Sequence, residues 1–378
     1  MNRRGVWVVM VMSALMVLVC VPKAWGQRPP DKDPERGLLR ESIKAQWDRS
    51  TLPLEIVLMA PRSLIAYSTD SSLGYGRLHF VCRSSSDSKN GRCPTEDTNE
   101  NGVGKGTVSL RFTELRSGLA TDLAVAIWLE RAESGRACND YWQPFLRPAW
   151  TSFAAPCATP SSGTAVSSEV SGTELERLVA GQWTAQLIME LRDLAGGTVA
   201  TYEFAFDVTI TDHNAVSIYF PQFESTTPLV NLDARYDPIQ QTVGGRTVVD
   251  MCLYDGLGSQ ASYLAVTARD ISPRSAGNSG FSLWHDSSGS DASQRLDYTV
   301  TLDHNGARVP LNNGIEEQLT GIDSSQLRLV LLPGMTQPVF CVNTPMTLDM
   351  PRVPSTSKRS GIYWGDLQLE LRVPAGVP

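Results

Sequence analysis

The run from Tyr202 to Thr211, YEFAFDVTIT, sets Phe204, Phe206, Val208 and Ile210 on one side of an extended chain and Glu203, Asp207 and Thr209 on the other. Successive side chains of a strand point to opposite faces, so this period of two belongs to a strand with one face buried. The pattern recurs along the chain. Val108, Leu110 and Phe112 share a face in TVSLRFT (107–113), as do Val216, Ile218 and Phe220 in AVSIYF (215–220). Near the C-terminus Leu367, Leu369, Leu371 and Val373 alternate with Gln368, Glu370 and Arg372. Gly, Asn, Asp and Pro punctuate the gaps, which suits antiparallel sandwiches. The fold class is therefore all-β. The one helix expected is short, Thr173 to Ala180 (TELERLVA). Trp183, in a strand with Leu187 and Met189, reads as a core residue rather than a sugar platform.

The N-terminus places the chain outside the cytoplasm. Arg3 and Arg4 precede an apolar run from Val6 to Val21, too short for a comfortable membrane span, and Ala24-Trp25-Gly26 then supplies small residues before Gln27. This is the pattern of a secretory signal peptide over 1–26. Cys20 follows Val19, where a lipidation box has Gly or Ala, which argues against a lipid anchor. No later stretch is long and apolar enough to span a bilayer, so the exported chain is expected to be soluble. The signal takes three cations and no acid with it, which moves the net charge from −7 to −10. Nothing in that balance suggests a nucleic-acid partner. About 350 remaining residues suggest two domains. The polar turn Thr211-Asp212-His213-Asn214 lies between two strong strand patterns and divides them at 27–212 and 213–378.

Six cysteines follow the signal: Cys82, Cys93, Cys138, Cys157, Cys252 and Cys341. An even count in an oxidising compartment reads as disulfides, and proximity among the 15 possible connectivities suggests 82–93, 138–157 and 252–341. The two short loops would each contribute about 3 kcal/mol in the chain-entropy account. No Cys-x-x-Cys occurs, and His79, His213, His285 and His304 are scattered, so no metal or other cofactor is expected.

Two motifs mislead. Asp97-x-Asn99-x-Asn101-Gly102 matches the start of a calcium loop, but the twelfth position is Val108, not glutamate. Gly102-x-Gly104-x-Gly106 leads into a strand, whereas phosphate binding uses a following helix N-terminus. There is no Gly-x-Ser-x-Gly elbow and no His-Glu-x-x-His, and no nucleophile–base pair can be identified, so the chain is expected not to be an enzyme.

Several longer elements carry a resemblance. They are Tyr75-Gly76-Arg77, Phe112-Thr113-Glu114-Leu115-Arg116-Ser117, Gly181-Gln182-Trp183-Thr184-Ala185, Thr211-Asp212 with Pro221-Gln222-Phe223, Asp250-Met251-Cys252-Leu253-Tyr254-Asp255-Gly256, Pro338-Val339-Phe340-Cys341, and the last strand from Gly361. Together these resemble the CblD-like pilus biogenesis initiators, minor tip subunits of alternate chaperone–usher fimbriae that include cable-pilus and enterotoxigenic colonisation-factor adhesins. The likeness runs from about Tyr75 to Val373, and the six cysteines fall at family positions.

The resemblance implies two immunoglobulin-like sandwiches in tandem. The first would bind a host-surface receptor, a glycan or glycoprotein. The second would lack its final strand. A periplasmic chaperone lends that strand, and the major pilin subunit later replaces it at the outer-membrane usher. The chain would then travel through the periplasm to the fimbrial tip at the cell surface. The alternating faces fit this reading: Val216, Ile218 and Phe220, with Leu367, Leu369, Leu371 and Val373, would flank the groove for the donor strand. The last strand ends five residues before the chain does, too few for another. The alternative is a secreted or surface sandwich protein that is not part of a fibre.

The resemblance also implies an exposed arginine cluster as receptor site. Arg77 holds the family position in Tyr-x-Arg. Enterotoxigenic members have two adjacent arginines shortly past the tryptophan, where this chain has Leu191-Arg192-Asp193-Leu194. Arg192 alone remains, and Asp193 is expected to pair with it or with Arg77. Receptor specificity is then not expected to carry over. Arg116 is the third candidate, by its place in a matched element.

Overall fold

The computed structural model describes residues 27–136, 140–154, 157, 159–274, 280–287, 289–335 and 337–374. Residues 1–26, where the signal peptide is expected, Cys138 and residues 375–378 lie outside them.

Nine strands span Gly37 to Thr211: β1 (Gly37–Asp48), β2 (Glu55–Tyr67), β3 (His79–Cys82), β4 (Gly106–Glu114), β5 (Ala120–Glu133), β6 (Arg147–Pro148), β7 (Ser161–Ser171), β8 (Gly181–Arg192) and β9 (Thr198–Thr211). One layer is β1-β9-β8 with β3 beside β8, and the other is β4-β5-β7-β2 with β6 beside β5. They meet at a corner where Thr113 pairs with Thr184 and Glu114 with Trp183. The alternating residues face the space between the layers. Val108, Leu110 and Phe112 of β4 are buried with Phe204, Phe206, Val208 and Ile210 of β9. Phe112 and Phe206 meet edge to face at 5.2 Å across the sandwich. Trp183 is fully buried at the corner, and its indole N–H donates to the Val179 carbonyl at 2.8 Å.

The expected helix is only one turn, Gly172–Leu175. Leu175, Leu178 and Val179 keep the i, i+3, i+4 spacing of a buried helical face, but past Leu175 the chain closes i+3 bonds, Arg177 N to Glu174 O and Leu178 N to Leu175 O, and the helix does not continue.

Fourteen strands follow: β10 (Ser217–Tyr219), β11 (Arg235–Asp237), β12 (Thr242–Val249), β13 (Cys252–Tyr254), β14 (Tyr263–Asp270), β15 (Phe281–His285), β16 (Arg295–His304), β17 (Ala307–Leu311), β18 (Glu316–Thr320), β19 (Leu327–Val330), β20 (Val339–Asn343), β21 (Met346–Pro354), β22 (Tyr363–Trp364) and β23 (Leu367–Arg372). They form sheets β10-β13-β20-β19, β11-β12-β21-β16-β15-β22 with β17 beside β16, and β18-β14-β23. The AVSIYF pattern is strand only at Ser217–Tyr219. A 3-10 turn takes His213–Ala215, and Pro221, which cannot donate a ladder hydrogen bond, follows.

The two halves are joined tightly. The Asp48 carboxylate accepts hydrogen bonds from Thr211 Oγ1 and the His213 amide, and the Asp212 amide donates to the Gly256 carbonyl at 2.7 Å. The apolar core of the first half continues into Cys252, Tyr254, Leu332 and Cys341 of the second. Cys82–Cys93 and Cys252–Cys341 are disulfides, as proximity suggested, and Cys157 is disulfide-bonded.

Trp183→Ala should destabilise the chain by about 3–5 kcal/mol, because it removes a buried indole and leaves a cavity. Thermal or denaturant unfolding of the full chain measures this; a loss below about 1 kcal/mol would show that the corner is not a keystone of the first sandwich.

Candidate functional site

The second half contains an opening in its sandwich. Among the described residues, strand β10 pairs only with β13 and β23 only with β14, so each has one unpaired edge. Both edges line a single cavity of about 740 Å³. Val216, Ile218 and Phe220 form one wall and Leu367, Leu369 and Leu371 the other, with Leu283, Tyr298 and Leu348 between them. All six wall residues are half-buried, although their strands turn them inward. Val373 packs on the same core without lining the cavity.

The sequence reading missed a third contributor. The stretch Thr226–Leu232 crosses the cavity, with Val230 and Leu232 half-buried against the core and Leu229 exposed. Its alternation over Leu229-Val230-Asn231-Leu232 was a legible signal.

The arginine candidates part company. Arg77 ends a 3-10 turn, Tyr75–Arg77, and is exposed, with no carboxylate in ion-pair range among the described residues. Arg192 ends β8 directly opposite His79 of β3. Arg192 thus stands across the sheet from His79, which follows Arg77 by two residues. Arg192 is tied to Glu190 at 2.9 Å, and Arg83 reaches the same carboxylate at 3.4 Å. The expected pairing of Asp193 with Arg192 or Arg77 does not form. The Asp193 carboxylate instead accepts the Gly197 amide at 2.8 Å, because it closes the 193–197 hairpin turn. Arg116 is half-buried. Its Nη2 donates to the carbonyls of Ser325 at 2.6 Å and Ile322 at 3.4 Å, so it bridges the two halves.

Behind this surface lies a buried cationic group that sequence reading also missed. Arg131 is wholly buried and donates to Leu78 O, Thr151 O and Thr164 Oγ1. Burial, with nearby Arg147, lowers its pKa to about 9, so it stays protonated at neutral pH. Its phase was readable: it continues the inward series Val125, Ile127, Leu129. His79 is buried beside it, and its Nδ1 lies 3.2 Å from the Arg77 carbonyl oxygen. Desolvation lowers the His79 pKa; Arg131 and Arg192 add to this, while the Arg77 carbonyl and Asp97 oppose it.

Family models of CfaE, the fimbrial protein of CFA/I, match both halves of the chain: its first domain over residues 22–213 and its second domain over residues 216–375. The curated CFA/I fimbrial protein CfaE of Escherichia coli is 27% identical over 355 residues, covering 90% of this chain and 91% of that protein. The crystal structure of CfaE, the adhesive subunit of CFA/I fimbria of enterotoxigenic Escherichia coli, superposes with a TM-score of 0.69 at 26% identity, covering 92% of this chain and 95% of that one. A chaperone–tip adhesin complex of CFA/I fimbriae biogenesis matches with a TM-score of 0.67 at 25% identity, over 92% of this chain and 99% of that one.

His79 is neutral in the fold and titrates near 6.5 when unfolded, so its contribution to stability is complete above about pH 6.5 and is lost as pH falls below that. The melting temperature of the full chain should drop between about pH 7 and pH 5, and His79→Gln should flatten that drop. Equal slopes for the two proteins would assign the acid sensitivity to other groups.

Proposed function

Because the chain belongs to the CfaE family of fimbrial proteins, we propose that it is a fimbrial tip adhesin acting in pilus biogenesis, with the groove of its second domain as the acceptor for a donated strand. The observation that carries this is the pair of unpaired edges, β10 and β23, facing one apolar cavity. An added strand would supply backbone partners to both edges and side chains to the cavity. Each large apolar side chain so buried is worth about 1.5–3 kcal/mol before the cost of ordering the donor. A periplasmic chaperone is the first donor and the major pilin subunit the second, exchanged at the outer-membrane usher on the way to the cell surface. The open groove disfavours a finished secreted sandwich outside a fibre. The role needs no reaction and no cofactor.

The receptor end is assigned to the first domain, around Arg77. An exposed guanidinium without a carboxylate partner is a fork available to a carboxylate or to sugar hydroxyls of a host glycan or glycoprotein. Arg192 is the supporting member, partly neutralised by Glu190.

Leu369→Asp should abolish capture by the chaperone, since a carboxylate facing the cavity has no partner there. Co-purification of the full chain with its chaperone reads this, and an undiminished complex would refute the groove. Arg77→Ala should weaken adhesion to receptor-bearing cells about tenfold with an unchanged melting temperature, as the loss of a charged hydrogen bond to ligand predicts. Full adhesion by this variant would move the receptor site elsewhere.

A further inference from the structure

Strands β10 and β11 lie along the same side of the β12–β13 stretch. Tyr219 stands opposite Cys252, and Arg235 opposite Gly244. Sixteen positions on one side therefore span eight on the other, and the surplus is looped out over the groove. Within the loop, residues 226–232 cross the cavity. Val230 and Leu232 rest against the core, while Leu229 is 96% exposed. Among the described residues, this stretch belongs to no strand and makes no backbone–backbone hydrogen bond.

The detour leaves β12 short of a neighbour. β12 pairs with β21 along its length but with β11 only at residues 242–244. The edge of residues 245–249 that looks away from β21 has no strand beside it among the described residues. Gly245 marks the point of departure: a Cβ there would lie 2.4 Å from the Leu232 carbonyl oxygen and 3.0 Å from the Ala234 Cα. Turns bound the loop at both ends. The Phe223 amide donates to the Phe220 carbonyl at 3.0 Å. Asp233 has φ of 51°, and its amide donates to Asn231 Oδ1 at 3.0 Å. Short turns of this kind can absorb a backbone rotation while the flanking strands stay in place.

We propose that residues 226–232 are a strap with two positions: over the groove while it is empty, and along the free edge of β12 at residues 245–249 once a donated strand fills it. This rests on the groove being the strand acceptor. Two half-buried side chains hold the strap in its first position and no backbone–backbone bond does. A donor that brings both more apolar contact and a ladder displaces it. In the second position the alternation of Leu229-Val230-Asn231-Leu232 suits an added strand, and the strap and β12 satisfy each other's backbone groups. The strap thus partly covers the open groove in the free chain and closes another edge in the loaded one.

The test compares hydrogen–deuterium exchange in the full chain alone and co-purified with its chaperone. An amide without a partner exchanges from the native state, so a new bond slows it where general stabilisation does not. Exchange at β23 reports entry of the donor, and exchange at residues 245–249 reports the strap. Amides facing the two free edges should both slow by about tenfold or more on loading. Leu229→Pro with Asn231→Pro, at two exposed positions, prevents the strap from forming a ladder. That chain should still bind the chaperone and slow at β23, but not at residues 245–249. Circular dichroism checks its folding, and either proline alone serves if the pair does not fold. Slowing at β23 alone in the unaltered chain overturns the strap and leaves the groove reading intact. Slowing at residues 245–249 that survives in the proline variant assigns that edge to the chaperone and overturns the strap as well. No slowing at β23 refutes the groove reading, and the strap falls with it.

Discussion

Backbone amides and carbonyls taken out of water must find partners, and apolar faces must find an opposing layer. Most of the chain meets both demands internally. The gap between β10 and β23 does not: two strand edges look across an apolar cavity whose wall residues are only half-buried. An edge of this kind is a template for any extended segment, whether a specific donor or another misfolded copy. The chaperone–tip adhesin complex among the similar structures is consistent with such an edge being covered by a partner.

The joint between the halves is built from the elements that marked the sequence. In the Phe112–Ser117 element, Phe112 packs in the core, Glu114 is buried and accepts from the Ser117 and Gln182 amides, and Arg116 crosses to the second half. In the Asp250–Gly256 element, the Asp255 carboxylate holds the amides of Leu257, Ser259 and Ala261. That turn brings Gly258 so close to Gly181 that a Cβ would lie 2.6 Å from the Gly181 Cα, which is why glycine stands there. These bonds, with a shared apolar core, tie the first half to the second through packed structure rather than a loose linker.

On the first domain, charge is handled in two ways. Arg131 is buried, and its Nη atoms donate to carbonyl and hydroxyl oxygens rather than to a carboxylate, which places positive charge behind the surface that carries Arg77. Arg62 and Lys105 lie instead on an outer face, each balanced by a glutamate and each against an indole.

Much of this was legible beforehand. Period-two patterns such as those of β4 and β9 declare which side chains go inward, because strand geometry ties sequence parity to face. The even cysteine count and the family elements likewise depend on residues close in sequence, or on identity alone. The sequence could not say which arginine would be free. Arg77, Arg116 and Arg192 are alike as residues, yet one stays open, one reaches across the domain joint and one meets Glu190, because each outcome depends on a partner supplied by a distant strand or turn. The same holds for Asp193, drawn to its own hairpin amide instead of a guanidinium, and for Arg62, placed on Trp142 by an irregular strand. Sequence alone determined the all-β class and the inward faces of strands such as β4 and β9; only the tertiary structure decided which charges are paired and where an edge is left without a neighbour, since ion pairs and sheet edges are set by what lies nearby in space rather than along the chain.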